Sequence, residues 1–120
     1  MTAHYEEIVE LWKAGMFFDA IKYFSRWMTE GLVSENEIEG FNRNLAKFWE
    51  LVKVESEKNP EVTFSLYEML KKARDWDDEK LQKKLKISGK AIEDIKNHHK
   101  PRSEGAGLKM LYELFPQMAV

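Results

Sequence analysis

The sequence has 120 residues, 43% hydrophobic and 12% aromatic, which suits one compact domain or two small helical units and excludes a disordered chain. It contains no cysteine, so disulfides, thiolate nucleophiles and cysteine-based zinc sites are excluded. The formal net charge of −2 hides an asymmetry: residues 1–58 hold seven Lys/Arg against eleven Asp/Glu, whereas residues 59–120 hold twelve against ten.

The opening "MTAHYEEIVE" lacks the basic patch and apolar run of a secretory signal. No segment approaches the roughly 18 apolar residues of a bilayer span. The expected location is the cytoplasm, with no membrane contact.

Helical periodicity runs through every long segment. Tyr5, Ile8, Val9, Leu11 and Trp12 share a face, and Gly15 breaks that run. Phe17, Phe18, Ile21, Phe24, Trp27 and Met28 define a second helix closed by Gly31. Ser34 and Glu37 have capping-box spacing ahead of a third helix carrying Ile38, Phe41, Leu45, Phe48, Trp49 and Val52. Asn59-Pro60 then supplies an N-cap and a first-turn proline. The polar stretch "KVESEKNPEV" marks the division into lobes 1–58 and 59–120.

Beyond Pro60 the elements shorten. Phe64, Leu66, Met69 and Leu70 belong to a helix ending near Arg74. Asp77 caps a helix through Leu85, Ser88 caps another through about Asn97, and Ser103 caps a last helix with Leu108, Leu111, Tyr112 and Phe115, stopped by Pro116. No alternating strand pattern occurs. The expected class is all-α: an N-terminal helical hairpin plus a third helix, then a helix-turn-helix-like bundle of short helices.

The stretch "LWKAGMFFDAIKYFSRWM" resembles half of one tetratricopeptide repeat near residues 10–28, with Gly15 at the turn and Ala20 and Phe24 at packing positions. Leu32 stands where the repeat has its closing proline. One unit cannot build a solenoid groove, so the expectation is an ordinary helical hairpin.

Three further pieces, "LYEMLKKARDW", "DDEKLQKKLKIS" and "SGKAIEDIKNHHKPRS", followed by "AGLKMLYELFP", carry a second resemblance. Together, over about residues 63–115, they resemble the lambda-repressor/Cro-like helix-turn-helix family. The resemblance implies that Leu81, Leu85, Ile87, Ile92, Ile95 and Leu111 are buried together. It implies that Gly89, Lys90, Glu93, Asp94 and Asn97 face outward from a recognition helix. It further implies a transcriptional regulator that binds double-stranded DNA, with Lys90 and Asn97 suited to base edges or phosphates. Lys86, Lys96, Lys100 and Arg102 are suited to phosphates, and Ser88 caps the helix whose N-terminus favours one.

The chain departs from the family in three respects. Asp78, beside Asp77 and Glu79, replaces a frequent glutamine and sets three acids toward a phosphate backbone, Glu93 and Asp94 put two acids within the recognition helix, and Lys86 and His98 occupy positions usually held by glycine. The charge pattern weighs on the other side. Lys80–Arg102 holds eight basic and two acidic residues, a local +6 that reads as a phosphate footprint or as a solvated face. The alternative function is a non-enzymatic protein-interaction adaptor with the same fold and no nucleic acid. The aromatic stripe Phe17, Phe18, Phe24, Trp27, Phe41, Phe48 and Trp49 reads first as core, and any exposed remainder as a surface for a homodimer or a protein partner.

Other chemistry finds little support. His98 and His99 point about 100° apart on a helix and cannot chelate together, and His4 is remote. "GAGLKM" lacks the strand and third glycine of a dinucleotide loop, and Asp77/Asp78 read as caps. Neither a cofactor nor an enzymatic activity is expected.

Overall fold

The computed structural model describes residues 2–30, 38–102 and 105–116. The expectations at Gly31, at Ser34 with Glu37, and at Ser103 lie outside the described residues, as do the side chains of Trp27, Met28, Ile38 and Phe41. Among the described residues the fold is all-α, with seven helices and no strand. The chain forms two compact units, Met1–Leu51 and Val52–Val120.

The first unit holds α1 (Thr2–Lys13), α2 (Phe17–Glu30) and the beginning of α3 (Ile38–Lys58). Helices α1 and α2 pack as a hairpin. Its turn is closed by Gly15 at φ 80°, with Gly15 N–H donating to the Trp12 carbonyl and Met16 N–H to the Leu11 carbonyl, both at 3.0 Å. This pair of reversed bonds is the Schellman closure, which requires a left-handed residue and so favours glycine. Ile8, Ala20, Ile21, Phe24, Phe48 and Trp49 are buried.

The rings of this unit pack on one another. Trp12 meets Phe17 and Phe48 edge-on, with centroids 4.8 and 5.5 Å apart, and Phe24 lies 4.9 Å from Phe48. Every aromatic side chain among the described residues is buried or half-buried, and the exposed large apolar residues are Met16, Leu51 and Val54.

The last turns of α3 are bonded into the second unit. The Ser56 carbonyl, left without a helical partner near the end of α3, accepts the Thr63 hydroxyl at 2.9 Å. Helix α4 (Pro60–Arg74) follows, opened by the Asn59 side chain, which accepts from Glu61 N–H at 3.1 Å. Helices α5 (Asp78–Leu85), α6 (Gly89–Lys96) and α7 (Ala106–Leu114) complete the unit. Helix α4 packs against α6 and α7, and α5 against α6.

The N-cap position of α7 is Gly105, which has no side chain to cap the helix. Glu57 supplies the cap from α3, accepting Gly105 N–H at 3.2 Å and Leu108 N–H at 2.9 Å. Two residues along, a Cβ built on Gly107 would overlap the Ser56 carbonyl, so α7 can approach α3 only with glycine there.

The core contains Leu66, Leu70, Leu81, Ile87, Ile92, Ile95, Met110 and Leu111. All the expected inward residues are therefore buried except Leu85, which is half-buried at the last turn of α5.

Candidate nucleic-acid interface

Two eight-residue helices, α5 and α6, are joined by Lys86, Ile87 and Ser88. Asp77 opens α5 by accepting Lys80 N–H at 2.8 Å, and Ser88 opens α6 by accepting Ala91 N–H at 3.1 Å. Lys86 carries the reversal at φ 56°, ψ 48°, in the left-handed region. Its carbonyl accepts the Lys109 ammonium at 3.1 Å, which ties the turn to α7. Ile87, buried beside it, pins the turn to the core. A Cβ on Gly89 would sit 3.3 Å from Gln82 Oε1, so the α5 side chain closes over the first turn of α6.

Helix α6 buries Ala91, Ile92, Asp94 and Ile95. Gly89, Lys90, Glu93, Lys96 and Asn97 are exposed. Asp94 corrects the sequence expectation: it is 8% exposed rather than outward-facing. Its Oδ2 accepts Arg102 N–H at 3.1 Å and pairs with Arg102 Nε at 3.2 Å, so the carboxylate anchors the segment after α6. The Arg102 side chain remains 70% exposed beyond that anchor.

Asp78 is likewise turned into the fold. Its Oδ1 accepts the Tyr67 hydroxyl at 2.6 Å and the Lys71 ammonium at 2.8 Å, and its Oδ2 accepts the Lys96 ammonium at 3.0 Å. Partial burial alone would raise the Asp78 carboxyl, but bonds from Lys71, Tyr67 and Lys96 outweigh it and hold the group well below the usual carboxylate range. Burial, and then the bond to Asp78, pushes the Tyr67 phenol up to about 12. The bond from Lys96 to Asp78 raises the Lys96 ammonium in turn. This cluster couples α4, α5 and α6.

The resulting charge distribution is lopsided. All eight bases between Lys80 and Arg102 are exposed, whereas one of the two acids in that span is buried. Lys83 pairs with Glu79 at 3.4 Å across one turn of α5, a contact too exposed to hold either charge firmly. Of the sequence-selected site residues, Lys86, Ser88, Lys90, Asn97, Lys100 and Arg102 all lie exposed on the α5–α6 turn, on α6 or in the segment after it.

Sequence reading missed the clasp below α6. His98 follows Asn97 at φ 59° and closes α6 by the same reversed bonds that Gly15 makes: its N–H donates to the Ile95 carbonyl at 3.0 Å and His99 N–H to the Asp94 carbonyl at 2.8 Å. The imidazole stacks on Phe64, with centroids 4.0 Å apart, and its Nδ1 lies 2.9 and 3.0 Å from the two Glu61 oxygens. The tenancy of a glycine position by His98 was visible in the sequence; its partners, more than thirty residues earlier, were not.

Among the described residues no group of three or more His, Cys, Asp or Glu side chains could hold a metal ion, and no helix is long and apolar enough to cross a membrane. Compared with protein-family models, curated proteins and solved structures, the chain matches none.

Proposed function

We propose that the chain binds double-stranded DNA through α6 and its flanking segments, as a DNA-binding regulator. The observation that carries this reading is the opposite placement of bases and acids. Lys80, Lys83, Lys84, Lys86, Lys90, Lys96, Lys100 and Arg102 are exposed, while Asp78 and Asp94 are bonded into the protein. Asp78 and Asp94 are thereby paired with Lys71, Lys96 and Arg102, while Asp77, Glu79 and Glu93 stay exposed among the more numerous bases. What faces solvent is a basic surface that gains affinity by releasing counterions from DNA.

In this reading Lys86, Lys100 and Arg102 contact phosphates and position the duplex. Lys90 and Asn97 project from α6 toward base edges, where lysine suits guanine O6 and N7 and asparagine suits adenine. Ser88 contributes by capping α6 and fixing where that helix begins. Glu93, the acid left outward on α6, accepts from a cytosine amino group.

Fluorescence anisotropy with labelled duplexes tests the assignment of roles. Lys100→Ala should weaken all sequences alike and flatten the salt dependence by roughly one unit of log–log slope. Lys90→Ala or Asn97→Ala should instead change sequence preference, by about 1–3 kcal/mol at the base pair each one reads. If none of these substitutions alters binding, the surface serves a protein partner and the adaptor reading replaces this one.

A further inference from the structure

Gly89 opens α6 without a side chain, and a side chain from α5 occupies the space it leaves. At 100° per residue, Lys96, Gly89, Glu93, Asn97 and Lys90 fall within an arc of about 120°, opposite the buried Ala91, Ile92, Asp94 and Ile95. Gly89 therefore lies inside the outward arc, one position before Lys90. A Cβ added at Gly89 would find three atoms of Gln82 nearest to it: Oε1 at 3.3 Å, Cδ at 3.6 Å and Nε2 at 3.6 Å. Those atoms are the carboxamide. The end of the Gln82 side chain thus lies where a side chain at position 89 would leave the outward face of α6.

Gln82 is half-buried, yet its carboxamide bonds to no group among the described residues, and both of its polar atoms reach solvent. Other polar side chains around the turn are engaged in the fold: Asp77 and Ser88 cap α5 and α6, and Lys109 bonds the Lys86 carbonyl. A carboxamide offers a donor and an acceptor side by side. Packing against a glycine holds this one over the first turn of α6 with both functions unused.

We propose that Gln82 is a base-reading residue, which hydrogen-bonds the major-groove edge of an adenine through its carboxamide. This rests on the DNA-binding reading above. When a helix enters the major groove in the helix-turn-helix manner, residues near its N-terminus contact base edges. Here the first outward residue of α6 is a glycine, which has no group to read with, and Gln82 supplies one from α5. Adenine presents N7 as an acceptor and N6 as a donor, the complement of a carboxamide, so glutamine suits an A·T pair. The pair it reads is distinct from those of Lys90 and Asn97, because the carboxamide lies over Gly89, before Lys90 and about two turns before Asn97.

The test is selection of duplexes from a randomised pool at low salt by the full chain, with sequencing of the bound fraction, for wild type, Gln82→Ala, Gln82→Glu and Lys90→Ala. Gln82→Ala should lower the enrichment of one A·T pair about tenfold, within what one bidentate contact contributes, and leave the other pairs as in wild type. Gln82→Glu keeps the length of the side chain but can only accept, so it should turn the same position toward cytosine. Lys90→Ala should leave that position unchanged. Unaltered enrichment in Gln82→Ala overturns the proposal, as does a uniform weakening across all sequences in both Gln82 variants, the mark of a phosphate contact. Wild type that binds the pool without enriching any pair overturns it too, while leaving phosphate binding intact. Wild type that binds no duplex overturns the DNA reading itself, and this contact with it.

Discussion

Replacing Asp78 by asparagine should expose how much of the second unit depends on one carboxylate. The substitution keeps the shape and one oxygen acceptor but removes the charge that three donors share. The Tyr67 hydroxyl bond, at 2.6 Å, has the length of a charge-assisted bond and falls to neutral strength, a loss of about 1 kcal/mol. Lys71, with a side chain 33% exposed, loses an ion pair worth roughly 0.2–1 kcal/mol after solvent screening, and the exposed Lys96 loses its partner as well. The expected destabilisation is about 1–2 kcal/mol. Urea unfolding at pH 7, followed through the amide signals of α4 to α6, isolates the unit that contains the cluster.

The pH dependence supplies a second reading of the same substitution. Because the Asp78 carboxyl is depressed in the folded state, its stabilisation is present above the ordinary carboxylate range, about pH 4. It is lost as pH falls below that range, so wild type and Asp78→Asn should converge in acid. An Asp78→Asn protein within 0.5 kcal/mol of wild type at pH 7 would refute the claim that this carboxylate couples the three helices.

Two further substitutions probe the same unit. Gly107→Ala should destabilise it by about 1–3 kcal/mol in urea unfolding, because the new methyl meets the Ser56 backbone and not a yielding side chain; an unchanged midpoint would mean that α7 does not approach α3 so closely. Tyr67, raised to about 12 from 10.0, contributes stability that is complete below pH 10 and lost as pH rises toward 12. Wild type should therefore lose stability over that alkaline range by an amount absent from Tyr67→Phe, and parallel profiles would contradict the assignment.

What the sequence made legible was local. Asn59, Asp77 and Ser88 announced their helices because an N-cap bonds within three residues of itself. The inward positions Leu81, Ile87, Ile92, Ile95 and Leu111 were what the helix-turn-helix resemblance implied, and all five are buried. Asp94 was misplaced for a reason periodicity contains only in part. At 100° per residue it sits at the edge of the arc formed by Ala91, Ile92 and Ile95, and what covers that edge is the segment ending in Arg102.

The remaining differences came from contacts between distant residues. The stretch around Ser56 and Glu57 looked like a polar linker, yet Glu57 caps a helix that starts 48 residues later. Asp78 looked like a departure that would repel DNA; its carboxylate instead compensates two lysines and a tyrosine from neighbouring helices. Glu61, Phe64 and His98 had no shared signal at all, since nothing in local sequence links residues 37 positions apart.

The measurement that bears most directly on the central claim is the salt dependence of binding between the wild-type protein and a random-sequence duplex. Contacts from Lys86, Lys100 and Arg102 would displace counterions from three phosphates, which gives a log–log slope of about −2.7. The account predicts measurable binding at low salt that weakens along this slope. No binding at the lowest salt, or binding indifferent to salt, would contradict it.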